Sequence, residues 1–344
     1  MLRMLIALIL SAAVVLAMGP KFIPVLRRMK FGQTIYELGP QSHKTKQGTP
    51  TMGGLMIAAG AVAAALVCQI GTPGWDVMLP LVLVAALSMA VGFADDYIKV
   101  VKKRSLGLTP WQKIFGQVFV CVSFSTYCYL HPQVGSSIIV PFVNVEWDLG
   151  LFYIPLLSLT ILFMINSANL QDGLDGLLSS VTAVGGTAWG MMALFFMLAV
   201  ADTSAAYGQN LYSVAIFGLA VAGAAMGFLR FNHYPATVFM GDTGSMFIGG
   251  ATVGLAMLLR QPFMLLLIAF TMVMSSVSVI IQRYYYKATR KIFGEPRRLF
   301  KMTPIHHHFE LSGMSETQIV AMYAVVTGIL SLVAILSLYG LKVA

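Results

Sequence analysis

The residues of this 344-residue chain best suited to chemistry are a few acids, lysines and histidines at the edges of long apolar stretches. Asp95-Asp96 closes one stretch, in the run Gly92-Phe93-Ala94-Asp95-Asp96-Tyr97. Neighbours on a helix point about 100° apart, so one acid could face a site while the other caps or orients it. Asn169-Leu170-Gln171-Asp172-Gly173-Leu174-Asp175-Gly176 joins two further stretches. Asp172 and Asp175 share a face if a helix has begun there, and the glycines let backbone approach a ligand closely. The richest run is Asn232-His233-Tyr234-Pro235-Ala236-Thr237-Val238-Phe239-Met240-Gly241-Asp242-Thr243-Gly244-Ser245. Asp242 falls several residues inside the next apolar stretch, where a carboxylate is expected to meet a cation or line a water-filled cavity. Oxygen ligands with phosphate nearby favour Mg²⁺.

Two further runs add basic groups. Pro304-Ile305-His306-His307-His308-Phe309-Glu310 places three histidines together. Adjacent histidines cannot all bind one ion and no cysteine lies near, so contact with phosphate or substrate ranks above zinc. Lys44, Lys46 and Gly48-Thr49-Pro50-Thr51-Met52-Gly53-Gly54 combine lysines, hydroxyls and glycines, but without the GxxxxGK[ST] spacing of a P-loop. Acids, a divalent cation and basic groups together suit a transfer of phosphates, the metal and lysines offsetting diphosphate charge.

The elements that position these residues are membrane helices. Apolar residues make up 58% of the chain and charged ones 10%, with a mean hydropathy of +0.81, far from a soluble composition. Ten spans are expected, at 2–19, 52–70, 78–95, 114–131, 151–167, 177–200, 211–229, 237–258, 262–282 and 317–340. The expectation is an all-α integral membrane protein, one polytopic membrane domain over 1–344. The odd-numbered loops carry 19 of the 22 Lys and Arg, Lys30, Lys44, Lys103 and Arg104 among them, which puts those loops in the cytoplasm and both termini outside. Glu37, Asp95, Asp96, Asp172, Asp175, Asp242, Glu295, Glu310 and Glu316 fall on the same side, nine of 13 acids. The net charge of +9 is thus a topology signal and a phosphate site, with no nucleic acid implied. Outside, Ile138 to Asn144 reads as a short hairpin or a plain surface loop. Cys68, Cys121 and Cys128 lie in apolar stretches and read as small hydrophobes. A chain embedded to this extent points to one lipid substrate and one soluble substrate entering from the cytoplasm.

GTPTMGG at 48–54, FADDY at 93–97, NLQDGLDGL at 169–177, NHYPATVFMGDTGS at 232–245 and MTPIHHHFE at 302–310 resemble the polyprenyl-phosphate N-acetylhexosamine-1-phosphate transferases over nearly the whole chain. The HHHFE run resembles the phospho-N-acetylmuramoyl-pentapeptide transferase branch in particular. Gln171 departs from the pattern, where a small or hydroxylated residue is expected. The resemblance implies transfer of phospho-MurNAc-pentapeptide from UDP-MurNAc-pentapeptide to undecaprenyl phosphate, giving lipid I and UMP, with Mg²⁺, in the bacterial cytoplasmic membrane. A homodimer is compatible with it. Carried over, Asp242 resembles the metal ligand, Asp95 the base or positioning group for the lipid phosphate, and Asp96 its support. Lys113 resembles a basic group facing the phosphates. Asp175 and Phe239 are similar to residues that hold uracil. Lys46, Asn169, Asp172 and Asn232 look like nucleotide or diphosphate contacts, and Thr51, Gly173 and Leu174 are counted with them. His306, His307 and His308 look like lining of the site, His307 being placed with the chemistry. A sister transferase using UDP-GlcNAc and an ion-coupled transporter are the alternatives. Aromatics interleaved with cations at 283–293 read as an interfacial helix bordering the groove for the polyprenyl chain.

Overall fold

A computed structural model describes residues 1–29, 46, 48–102, 107–200 and 205–338. Lys30, Glu37, Lys44, Lys103 and Arg104, used above for orientation, lie outside the described residues. The main helices are α1 (Leu2–Arg28), α2 (Gly54–Gln69), α3 (Trp75–Val101), α4 (Pro110–Leu130), α5 (Tyr153–Gln171), α6 (Leu177–Ala199), α7 (Ala205–Asn232), α8 (Gly241–Leu258), α9 (Leu265–Ile268), α10 (Phe270–Phe293), α11 (Ile305–Glu310) and α12 (Glu316–Leu336).

Every expected span coincides with a helix or a bent helix pair. Among the described residues, seven helices are long and apolar enough to cross a bilayer: α1, α3, α4, α5 with its preceding turn, α6, α7 and α12. The expected ninth span is not one straight rod. It breaks after Ile268, and the chain turns by 88° into α10. The second half of α10 carries Arg283, Lys287, Arg290 and Lys291, which an apolar core would not accept. α2 is shorter, at 16 residues. The chain is therefore a multi-pass helical membrane protein.

α7 and α8 form the centre. α7 packs on α1, α2, α3 and α6, and α8 on α2, α3 and α5. From Thr243 to Leu258 every residue of α8 is buried. Its small residues permit that, because helix association in lipid depends on close backbone approach. Outside the bundle, β1 (Ser137–Val140) and β2 (Val145–Asp148) pair antiparallel, with Ser137 opposite Asp148, so the hairpin reading holds. Arg260 after α8 fastens this hairpin, its guanidinium 2.6 Å from Glu146 Oε2 and its carbonyl accepting from Ile139 N–H at 2.8 Å.

Two boundaries differ from the sequence expectation where they matter for chemistry. α3 does not end at Asp95-Asp96 but continues to Val101, so both acids sit inside a helix with Lys99 one turn on. α8 starts at Gly241, not at 237, because 233–240 is irregular, so Asp242 occupies its first turn instead of its interior. The turn at 172–176 is likewise not helical: α5 stops at Gln171 and α6 starts at Leu177. Asp172 and Asp175 consequently do not share a helix face.

Candidate active site

α3 and α8 bring the acids together. At Gly92, one turn before Asp95, an added Cβ would lie 2.2 Å from Asp242 O, so the helices touch backbone to backbone there. Gly241 opens α8 at φ +73°, a conformation suited to glycine, and a Cβ on it would meet Asp96 Oδ2 and Thr51 Oγ1, both at 2.6 Å. Thr51 is thereby placed beside the acids.

Asp95, Asp96 and Asp242 offer one oxygen each within 4.8 Å of one another. Lys99 Nζ sits among them, 2.5 Å from Asp95 Oδ2, 3.8 Å from Asp96 Oδ1 and 3.0 Å from Asp242 Oδ2. Lys113 from α4 reaches Asp242 Oδ2 at 2.9 Å. Asn169, near the end of α5, donates to Asp242 Oδ1 at 2.8 Å and to Ser245 Oγ at 2.9 Å. The three carboxylates and two ammonium groups sum to −1.

The two neighbouring acids have separate tasks. Asp96 Oδ2 accepts from the N–H and the hydroxyl of Thr243, at 2.9 and 2.7 Å. It caps the N-terminal turn of α8 from a neighbouring helix and so fixes where Asp242 stands. Asp95 Oδ1 accepts from Leu108 N–H at 2.8 Å, and its other oxygen faces Lys99. An oxygen-only donor set of three carboxylates fits a hard divalent cation such as Mg²⁺.

A second cluster surrounds Lys46. Its ammonium donates to Asp175 Oδ1 at 2.8 Å and to Glu316 Oε2 at 2.7 Å, with the Tyr234 ring centroid 5.8 Å away. Burial by itself would lower its pKa, but these two carboxylates outweigh burial and raise it. Asp175 Oδ2 accepts from Ala236 N–H at 2.9 Å, tying the 172–176 turn to the 232–240 segment. Burial, reinforced by the charges of Asp242, Asp96 and Asp175, pushes Asp172 up to about 8. Asp172 thus feels the charges of both clusters.

The other expected residues are placed as follows. Gly173 lies against His306: a Cβ there would be 2.3 Å from the His306 Nε2. Leu174 is buried beside it in the same turn. His307 Nδ1 is 3.2 Å from Glu310 Oε2, and the His306 and His307 rings meet edge to face at 4.3 Å. His308 turns to its own loop, accepting from Lys301 N–H at 3.1 Å and packing on Phe300. Asn232 is buried and spans the irregular segment, accepting from Ser179 Oγ at 2.8 Å and donating to Val238 O at 3.1 Å. Its side chain shapes the loop. Phe239 is half-buried, and its backbone pairs with Pro50 and Gly53, which docks the 48–54 run on the 232–245 run. Gln171, the departure from the family pattern, is fully buried and donates to Thr271 Oγ1 of α10 at 3.1 Å.

Lys99, Glu316, Thr243 and Ser245 belong to the two clusters and were not singled out from the sequence. Lys99 stands three and four residues after the paired acids, a helical spacing that would have revealed it had α3 been read past Asp96. Nothing local marks Glu316, which is 270 residues from Lys46.

The Glycosyl transferase family 4 model matches residues 78–260. Signature 1 of the phospho-N-acetylmuramoyl-pentapeptide-transferases matches residues 46–57, the segment that carries Lys46 and Thr51. Over 335 residues the chain is 42% identical to the phospho-N-acetylmuramoyl-pentapeptide-transferase of Halalkalibacterium halodurans, covering 96% of each chain. The chain belongs to this transferase family. The Clostridium novyi member is 39% identical over 335 residues and 97% of each chain. That of Desulfitobacterium hafniense is 39% identical over 341 residues, 96% of this chain and 97% of its own. The family match covers the acid cluster on α3 and α8 and Asp175 of the second cluster, and the signature covers Lys46.

Proposed function

We propose that the chain transfers phospho-MurNAc-pentapeptide from UDP-MurNAc-pentapeptide to undecaprenyl phosphate, forming lipid I and releasing UMP, at the cytoplasmic face of the bacterial inner membrane. Full-length similarity to the named transferases supports this reading, and one observation carries the chemistry: Asp95, Asp96 and Asp242 converge with two lysines at one end of the bundle. Asp242, with Asp95 beside it, would hold Mg²⁺. When bound, the dication would turn the cluster's net charge from −1 to +1 and neutralise phosphoryl oxygens.

The side chains then divide the work. Lys113 and Lys99 offset diphosphate charge near Asp242. Asp95 accepts the acceptor's proton or aligns its phosphate. Asp96 holds α8 in place through Thr243. Asp175, Lys46 and Phe239 border the nucleotide end, with the histidines of α11 closing the side next to Gly173. An oxygen of the lipid phosphate attacks the β-phosphorus, the bond from that phosphorus to the bridging oxygen breaks, and UMP carries the electron pair away. Water is kept from competing by burial: Asp95 and Asp96 are each less than 5% exposed. On α4, beside Lys113, Trp111, Gln112, Ile114, Phe115 and Val118 line an almost wholly apolar cavity of about 520 Å³ facing outward. This wall suits the isoprenoid tail of an acceptor whose phosphate lies by Lys113.

The test is Mg²⁺-dependent UMP release by the purified protein with undecaprenyl phosphate and either UDP-MurNAc-pentapeptide or UDP-GlcNAc. Release from the muramoyl substrate alone is expected. Release only from UDP-GlcNAc would move the chain to the sister transferases, and no release from either would defeat the reading. A phosphorylated enzyme trapped by rapid quench without acceptor would replace direct attack by a two-step route.

A further inference from the structure

Outside the site just described, the most unusual grouping of charge lies where the chain leaves α10. The segment 294–303 folds back along that helix. Gln282 fastens it, accepting at Oε1 from the N–H groups of Leu299 and Phe300, both at 3.0 Å, and donating to Phe300 O at 3.1 Å. Thr289 Oγ1 adds a bond from Arg297 N–H at 2.9 Å. The fold-back brings Arg298 to the same face as Arg283 and Lys287. All three cations line one cavity of about 460 Å³, together with Val279, Gln282, Tyr286, Met302 and Thr303.

Among the described residues, none of these cations has a carboxylate within ion-pair distance. Arg283 and Lys287 are four apart on one helix, a like-charge spacing that destabilises it, and the strap adds a third charge to them. Such an arrangement is favourable with an anion between the cations. The surroundings indicate the kind of anion. Ile280, Ile281, Tyr284, Ile292 and Phe293 on the same helix are exposed, Tyr284 at 69% and Ile292 at 71%. Aromatic and aliphatic side chains beside cations are the composition of a helix lying at headgroup depth. The cavity wall is itself mixed, with Val279 and Met302 lining it together with the cations.

The geometry points to a phosphate-ester site for an anionic membrane lipid, held by Arg283, Lys287 and Arg298, with the start of the acyl region against Val279 and Met302. It is separate from the acid–lysine centre and uses none of its residues.

The test is native mass spectrometry of the full-length protein released from micelles containing phosphatidylglycerol or phosphatidylcholine, without UDP-sugar. Wild type is expected to retain phosphatidylglycerol in preference to phosphatidylcholine. The variant R283Q/K287Q/R298Q should lose that preference by about tenfold. Asp242→Ala should keep it, which separates this site from the active centre. R290Q/K291Q, with two fewer charges on the same helix but outside the cavity, should also keep it. Equal loss in R290Q/K291Q would overturn the site in favour of diffuse charge, and full displacement by millimolar inorganic phosphate would overturn the lipid as occupant. K287Q alone leaves the strap and its Gln282 bonds intact. Should the triple variant not fold, K287Q must still lower retention, and unchanged retention there would also overturn the proposal.

Discussion

α3 carries a polar network at each end, and the two are built on opposite principles. Near its start, Asp76 accepts from Asn210 Nδ2, lies 3.2 Å from His131 Nε2, and offers its carbonyl to the Tyr127 hydroxyl. Near its other end, 19 residues and about 28 Å away, stand Asp95 and Asp96. The Asp76 side chain is 59% exposed, so water shares its charge. One acid, one imidazole and an amide suffice there, and the network joins α3, α4 and α7. At the Asp95 end three carboxylates are crowded inside helices and two lysines balance them incompletely. Like charges within 4.8 Å of one another repel, and a cationic ligand completes such an arrangement. A network that closes on itself is structural. One left short of a positive charge, at the other end of the same helix, is built for a ligand.

Substitutions at the two ends should separate these roles. The largest effect is expected for Asp242→Ala, which removes the acid shared by Lys99, Lys113 and Asn169: UMP release should fall by about 10³-fold or more. Asp76→Asn should leave the same rate within about twofold, and a comparable loss there would erase the distinction. Next is Lys99→Met, expected to lower kcat by on the order of 10²-fold, since three carboxylates then face each other across one remaining lysine. Full activity would mean that Lys113 alone balances the acids. Glu316→Gln should raise KM for the UDP-sugar about tenfold with kcat little changed, because Lys46 loses one of its two carboxylates and the 172–176 turn loses its tie to α12. Glu316→Asp should recover part of that loss.

The smallest effect is one of pH. Asp172 is raised to about 8, so the folded chain binds a proton that the unfolded chain releases near pH 4. Folding therefore takes up a proton, and the stability it contributes is lost as pH rises between those values. In EDTA, wild type should lose more of its thermal midpoint between pH 5.5 and 8.5 than Asp172→Asn, which has no proton to release. Identical pH profiles would place Asp172 in contact with water.

Much of this molecule was legible before its structure. The apolar spans announced themselves because lipid leaves backbone no alternative to helices. The acids stood out because charge at membrane depth needs a reason. The misreadings share a cause. Ending α3 at Asp95-Asp96 treated charge as a boundary, whereas Lys99 on the next turn pairs with those acids inside a helix that runs on to Val101. Placing Asp242 mid-span followed hydropathy through 237–240, where Asn232, bonded to Ser179 and Val238, keeps the backbone irregular. The straight ninth span followed hydropathy past a break that an amphipathic α10 imposes.

By itself the sequence determined the solvent, the helical class, the acids that stand out from the apolar spans and the kinship with the transferases, because these depend on composition, periodicity and short motifs. Only the tertiary structure decided which of the paired acids caps α8 and which faces Lys99. It alone brought Glu316 to Lys46 across 270 residues and carried Arg298 back over Arg283 and Lys287. The physical reason is common to all three. A helix fixes the neighbours of a residue within one turn, while partners on other elements are set by close helix packing and by hydrogen bonds that no local spacing encodes.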